Sequence, residues 1–205
     1  MKITYLAHAC FKIESKGYAV VLDPYEDGSV PGCGPVREEA NQVLCSHGHH
    51  DHNAAGCVTL REGEGTPFKV EALASFHDDQ EGALRGNNLI HILDDGVCRV
   101  AHLGDLGCHP TPEQMEKLRG MTALLVPVGG HYTIDAKQAH ALAEELAPVV
   151  VIPMHYRTGK FGFDVIGRLE EFTGLRGDVA EYPGGELELT PGMERQTAVL
   201  QPKNA

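Results

Sequence analysis

Between residues 45 and 53 the chain reads Cys-Ser-His-Gly-His-His-Asp-His-Asn, and no other stretch limits so tightly what it can fold into. Four strong metal ligands, His47, His49, Asp51 and His52, stand there in the pattern H-x-H-x-D-H. Residues two apart on an extended loop point the same way, so His47 and His49 can present imidazoles to one ion. Asp51 and His52, past the bend, can serve a second. Such a loop works only if a rigid frame holds it and brings further ligands to meet it.

The rest of the sequence predicts that frame. Tyr5 to Glu14 alternates as strands do, and Tyr18 to Leu22 is an apolar run, the two joined around Ser15-Lys16-Gly17 and ending at Asp23-Pro24. Glu26 to Gly34 reads as a surface loop and Val36 to Ala40 as a short helical turn. Gln42 to Cys45 is the strand that delivers the histidine loop. Phe68 to Ala74 is another, followed by His77, and Leu89 to Leu93 with Val97 to Leu103 form a hairpin through Asp94-Asp95-Gly96. Then helices enter. Thr111-Pro-Glu-Gln114 is a helix start, and Asp135 caps a helix with Ala139, Leu142, Ala143 and Leu146 on one face. Strands are predicted at Ala123 to Pro127 and Val149 to Ile152, a third helix from Asp164 to Gly174, and strand, turn and strand to the end. These are two strand-rich halves meeting near residues 95–110, within a single domain spanning 1–205. Asp23, the histidine loop, His77, Asp105 and His155 all fall just past a predicted strand end, where side chains from a pair of sheets converge.

Composition narrows the function. A net charge of −12 repels phosphate backbones, so nucleic acid is excluded as a partner, although two metal ions would reverse that sign locally. No apolar run approaches a membrane span and no signal-like segment follows Met1, which predicts a cytoplasmic protein with no membrane partner. The six cysteines, Cys10, Cys33, Cys45, Cys57, Cys98 and Cys108, lack ligand or disulfide spacing and read as buried free thiols, with Cys45 and Cys108 lying near candidate ligands. Oligomeric state is left open.

In its order of motifs the chain resembles the metallo-β-lactamase superfamily, in particular the compact branch that includes ascorbate-6-phosphate lactonase. The residues that carry the likeness are Tyr5-Leu-Ala-His-Ala-Cys-Phe11, Val21-Leu-Asp-Pro24, the histidine loop, His77, His102-Leu-Gly-Asp105 and His155. The resemblance implies an α/β (α+β) fold, a four-layer αββα sandwich of two mixed sheets flanked by helices. It also implies two divalent metal ions, one held by His47, His49 and His77, the other by Asp51, His52 and His155, with Asp105 bridging. Family β-lactamases often lack that aspartate, which argues against antibiotic hydrolysis. The flavodiiron members place Glu where His49 stands, which favours zinc or manganese over a redox iron pair.

Two bridged ions make a nucleophile of water near neutral pH and polarise the bond under attack. The reading is therefore a metal-dependent hydrolase of an ester, lactone or phosphodiester bond in a small polar or anionic molecule. Asp51 and Asp105 are its catalytic candidates. Competing readings are an iron-dependent oxidoreductase and a non-catalytic metal-binding module. Asp23 and His102 are expected to steady ligand imidazoles, and His8 is either such a residue or a plain strand histidine. His50 is expected to point away, and His91 and His140 to be structural. His109 and His131 are candidates for a general acid or substrate contact, as are Tyr132, Tyr156, Arg85, Arg157 and the amides of Gly129-Gly130 for substrate binding.

Overall fold

The computed structural model, which describes residues 1–63 and 65–205, begins with an antiparallel meander of β1 (Lys2–Ala7), β2 (Cys10–Ser15) and β3 (Tyr18–Leu22). Its alternation divides the residues by face. Val20 and Leu22 turn into the main core, while Ala19 and Val21 turn outward into a smaller cluster with Leu6, Tyr25 and Val36. Next come β4 (Glu38–Ala40), β5 (Gln42–Leu44), a single 3-10 turn (Ala55–Cys57) and β6 (Val58–Leu60). Of these, β5 extends the meander in parallel to β3, and β4 pairs in parallel with β6 as a separate ribbon.

The second sheet is built from β7 (Lys69–Phe76), β8 (Asn87–Asp94), β9 (Arg99–His102), β10 (Ala123–Pro127), β11 (Val150–Met154), β12 (Val179–Tyr182) and β14 (Gln196–Leu200), in the order β12-β14-β11-β10-β9-β8-β7. Between β12 and β14 the chain crosses over to place β13 (Glu186–Glu188) on the outer edge of β1 in the first sheet. Both sheets mix parallel and antiparallel pairs. Every residue of β10 and β11 is buried, the burial expected of central parallel strands covered on both faces.

Three helices, α1 (Pro112–Leu118), α2 (Ala136–Leu146) and α3 (Leu169–Thr173), connect or follow these strands. Thr111 and Gln114 close a capping box on α1, and Asp135 accepts from the amides of Lys137 and Gln138 on α2. The predicted apolar face of α2 is the buried one.

Two local expectations are corrected. Residues 36–40 hold no helical turn: three residues of β4 pair with β6 instead, a segment too short to nucleate a helix against such a ladder. The third helix begins at Leu169, not Asp164, because residues 164–166 close as a turn, the Ile166 amide on the Phe163 carbonyl (3.2 Å), and the chain then leaves it as the Gly167 amide donates to the Gly129 carbonyl (2.6 Å) and Arg157 bridges to Arg168. Val165, within the span predicted as helix, is exposed. The outer face of the first sheet is covered by the loop after β3 and the β4–β6 ribbon, so the flanking α-helices lie in the C-terminal half among the described residues.

Candidate metal centre

The strand ends converge as expected. β3 and β5 run parallel, so Asp23 and Ser46 emerge side by side, and Asp23 accepts the Ser46 amide on Oδ1 and its hydroxyl on Oδ2, both at 2.6 Å. Two parallel pairs of the second sheet, β9–β10 and β10–β11, put Asp105 and His155 at the same edge. His8, in the two-residue turn between β1 and β2, comes from the opposite sheet, and its carbonyl accepts the His155 amide at 2.9 Å.

Two groups of ligand-type side chains result, with a third, Asp23, His47 and His52, overlapping both among the described residues. His47, His49 and His77 have ligand atoms within 4.8 Å of one another, and so do His8, Asp51, His52 and His155. Between the groups stands Asp105, whose Oδ2 is 3.2 Å from the Nε2 atoms of both His77 and His155, while Oδ1 is 3.3 Å from His52 Nε2. All seven expected site residues, His47, His49, Asp51, His52, His77, Asp105 and His155, are thus brought together.

Hydrogen bonds fix which nitrogen of each ring faces inward. The single hydroxyl proton of Ser46 goes to Asp23, so the 2.9 Å contact with His47 Nδ1 must have the imidazole donating. His52 Nδ1 donates to Asp23 (2.8 Å), and His77 Nδ1 to the Tyr132 carbonyl (3.1 Å). Each of the three therefore turns an Nε2 lone pair toward the centre. The Nε2 atoms of His47 and His52, both ring nitrogens of His8 and Oδ1 of Asp105 are buried with no hydrogen-bond partner among the described residues. Buried polar atoms are rarely left so, and a cation among them is what this donor set fits.

The charges agree. Burial, with the neighbouring His52, pushes His47 down to about 3, and burial with His155 pushes His8 down to about 4. Burial would raise Asp23, but its hydrogen bond with His52 brings the carboxyl to about 2. Asp105 is likewise held below the usual carboxylate range, against its burial, by His155 and His52, and Asp51 by His8. His52 goes the other way: against its burial, Asp105 and Asp23 raise it well above the ordinary imidazole value, so a proton there stands where a cation would sit, and binding a divalent ion would displace it to leave neutral imidazoles beside ionised carboxylates. Backbone strain gathers here too: His8, Asp23 and His155 have φ of 57°, 44° and 53°, in the left-handed region that non-glycine residues seldom enter. Gly104 carries a φ of 56°, and a Cβ on it would stand 2.3 Å from Asn88 Oδ1, the acceptor for the Asp105 amide.

Above the centre opens a cavity of about 250 Å³, with His49, His77 and Asp105 below and Arg85, Tyr132 and Phe163 around the rim. His50, expected to point away, is on this rim. Other expected residues lie elsewhere. His102 touches no ligand imidazole; it donates to the Ala9 carbonyl (2.8 Å) and accepts the Gly104 amide (3.1 Å), fastening the turn before Asp105. His109 is exposed beside Glu145, and His131 is exposed against the Tyr132 ring without lining the cavity. Tyr156 is buried against Tyr5 and Phe161, and Arg157 donates to the Ile166 carbonyl. Gly129 and Gly130 form no anion nest: the Gly130 amide is taken by Ile134, and a Cβ on Gly129 would lie 2.2 Å from the His155 carbonyl. His91 donates to the Cys45 carbonyl, as a structural histidine should, and neither Cys45 nor Cys108 joins a ligand-sized group among the described residues. Sequence reasoning missed Ser46, Asn88 and Phe163. Ser46 had a readable signal in its place between a strand and His47; the others had none.

Comparison with known proteins supplies the family. Residues 2–155 match the model of the beta-lactamase superfamily domain. The UPF0173 metal-dependent hydrolase of Thermoplasma volcanium is 30% identical, over 81% of this chain and 86% of that one, and its Thermoplasma acidophilum counterpart is 27% identical over 89% and 93%. Among solved structures, a Thermotoga maritima protein, a candidate Zn-dependent hydrolase of the metallo-beta-lactamase superfamily, superposes with a TM-score of 0.78 at 33% identity over 97% of both chains. These three names give no substrate, and the likeness to ascorbate-6-phosphate lactonase reaches further than they do. The order of ligands along the chain and the matches to whole relatives point the same way: the chain belongs to the metallo-β-lactamase superfamily and, within it, to the UPF0173 metal-dependent hydrolases.

Proposed function

We propose that the chain is a dinuclear hydrolase that cleaves an ester, lactone or phosphodiester bond in a small polar or anionic molecule. His47, His49 and His77 would hold one ion, Asp51, His52 and His155 the other, and Asp105 would reach both. The observation that carries this reading is the position of Asp105 Oδ2, 3.2 Å from an imidazole nitrogen of each group. Nitrogen and carboxylate donors without thiolate favour zinc, with manganese second. When bound, such ions acidify a shared water and polarise the oxygen of the bond under attack.

The chain's own residues do the rest. Asp23, the Tyr132 carbonyl and Ser46 keep three imidazoles in the tautomer that presents Nε2. Asp51, half-buried and with Oδ2 3.4 Å from His8 Nε2, orients the attacking water and takes its proton. The cavity limits access to a small substrate, for which protein and nucleic-acid partners are not required, and the protein acts without a membrane.

Elemental analysis of protein purified without added metal, beside His49→Ala, tests the reading. Near two zinc or manganese ions per chain, falling sharply in the variant, is the expected result and leads to screening of lactones and phosphodiesters. No metal in either protein, even after reconstitution, would overturn it.

A further inference from the structure

The rim of the cavity carries a charge that metal binding leaves unused. Among the described residues lining the cavity, Arg85 alone is an arginine or lysine. Its place is built. Asp78, buried next to the candidate ligand His77, accepts the amides of Gln80 (2.8 Å) and Gly82 (2.9 Å) on one oxygen and those of Leu84 (3.0 Å) and Arg85 (2.7 Å) on the other. The loop closes where the His77 amide donates to the Gly86 carbonyl at 3.0 Å. Four bonds to one carboxylate fix the Arg85 backbone to the same short segment that positions a candidate metal ligand.

The side chain then faces aromatic rings. The guanidinium carbon lies 5.6 Å from the centre of the Tyr132 ring, whose own centre is 6.2 Å from that of Phe163. Several other cations of the chain are held by carboxylates, as in Lys2 with Glu14, Lys12 with Glu38 and Arg176 with Asp178, and Arg157 donates to a backbone carbonyl instead. Arg85 makes no ion pair among the described residues, and its side-chain N–H groups have no acceptor there. Arg85 is a partly buried residue at the cavity in a chain of net charge −12, and its guanidinium is left to an outside acceptor. Its planar fork matches a carboxylate or a phosphate in two-point contact.

We propose that Arg85 receives a carboxylate or phosphate group carried by the substrate away from the bond that is cut, its apolar part lying on Tyr132 and Phe163. The inference rests on the hydrolase reading and narrows it: the substrate class is small esters, lactones or phosphodiesters that bear a further acidic group. At about 250 Å³ the cavity is smaller than the roughly 300–1,000 Å³ usual for ligand pockets, which suits such molecules. Arg85 acts as a specificity-determining residue, and the acidic surface elsewhere discourages other anion sites.

The test uses the zinc-reconstituted full chain and calorimetric titration with three probes. Butyrate and succinate share a four-carbon skeleton and differ by one carboxylate; 3-phosphonopropionate replaces that group with a phosphonate. Wild type is expected to bind one or both dianions at least about tenfold more tightly than butyrate, the worth of a charged hydrogen-bonded contact. Arg85→Met should erase that preference while metal content and butyrate affinity stay unchanged, and Arg85→Lys should restore part of it. Which dianion leads tells carboxylate from phosphate as the natural group. An undiminished preference in Arg85→Met, or none in wild type with two metals bound, overturns the inference alone. Protein that holds no metal overturns the hydrolase reading, and this inference with it.

Discussion

A buried aspartate pins each end of the β-sandwich, and the two ends treat it in opposite ways. At the end away from the cavity, Asp95 joins the sheets: Ser15, the last residue of β2, donates to its Oδ2 at 2.6 Å, and the amides of Val97 and Cys98 fill Oδ1 at 3.0 and 2.8 Å. At the other end Asp105 also sits between the sheets, but its side chain faces the imidazole nitrogens of His52, His77 and His155, and its Oδ1 and the His52 Nε2 are both buried without a hydrogen-bond partner among the described residues. Turns at the Asp95 end take their positive φ mainly from Gly17 and Gly96, with Lys16, whereas the cavity end imposes it on His8, Asp23 and His155. A carboxylate that only holds structure is saturated by N–H and O–H donors. One that awaits a cation is surrounded by lone pairs, and the backbone there is strained to keep them facing one another.

The sharpest way to break the comparison is Asp105→Ala. Metal content should fall below two per chain and turnover should vanish, both read on the same preparation by elemental analysis and substrate screening. Two metals retained would remove Asp105 from its bridging position. Next in size is Asp23→Asn, which takes a charged acceptor from His52 Nδ1 and from Ser46 while leaving the direct ligands alone. Loss of such a supporting carboxylate costs roughly 10–100-fold in metal affinity, measurable by competition with a chromogenic chelator. Unchanged affinity would mean that tautomer control at His52 is not needed.

This contrast also explains what could be read in advance. Ligands at strand ends were legible because strand termini are marked by local signals: Asp23-Pro24 stops an apolar run, Gly104-Asp105 ends another, and H-x-H-x-D-H is its own signature. The floor of the cavity, and with it the two-sheet fold, therefore came from local sequence. The rim did not. Phe163 reaches it from a loop whose path is set by long-range bonds such as Gly167 to Gly129, and Arg85, a candidate only as a nearby cation, is placed by a loop wound around four amide bonds to the Asp78 carboxylate; no spacing in the sequence announces either path. The same Gly167 bond leads the chain out of the predicted helix. Tyr132 and Tyr156 show the limit well: both follow core strands beside a histidine, yet one lines the cavity and the other is buried against Tyr5.

At the saturated end, Asp95→Ala leaves Ser15 and two amides without their acceptor. Unfolding by denaturant, with zinc held in excess, should show a loss of about 1.5–3 kcal/mol, with metal content unchanged. Metal loss there would show that the two ends are coupled. The pH dependence has a definite sign. Burial opposes ionisation of Asp95, but the Cys98 amide and Ser15 hydroxyl outweigh it, so its folded pKa is lowered from the ordinary 3.8. A depressed carboxyl contributes stability that is present above its unfolded value and is lost as pH falls toward the folded one. Wild type should therefore lose stability more steeply than Asp95→Asn on acidification below about pH 4, and parallel curves would count against the charge of Asp95.

The smallest expected effect is His140→Ala, and it sharpens the comparison by holding residue type constant. His140 Nδ1 lies 3.4 Å from an Arg176 nitrogen, but that guanidinium is already bound by Asp178, Thr197 and Glu144. Removing the imidazole leaves no buried group unpaired, so stability should change by no more than about 0.5 kcal/mol and metal content not at all. His52, by contrast, is fully buried, donates to Asp23 through one nitrogen and turns the other toward Asp51 and Asp105. Twelve histidines in one chain are therefore not twelve votes for a metal site. What separates the two is whether the ring's free nitrogen meets a donor or another lone pair, and substantial metal loss in His140→Ala would show that this criterion has drawn the centre in the wrong place.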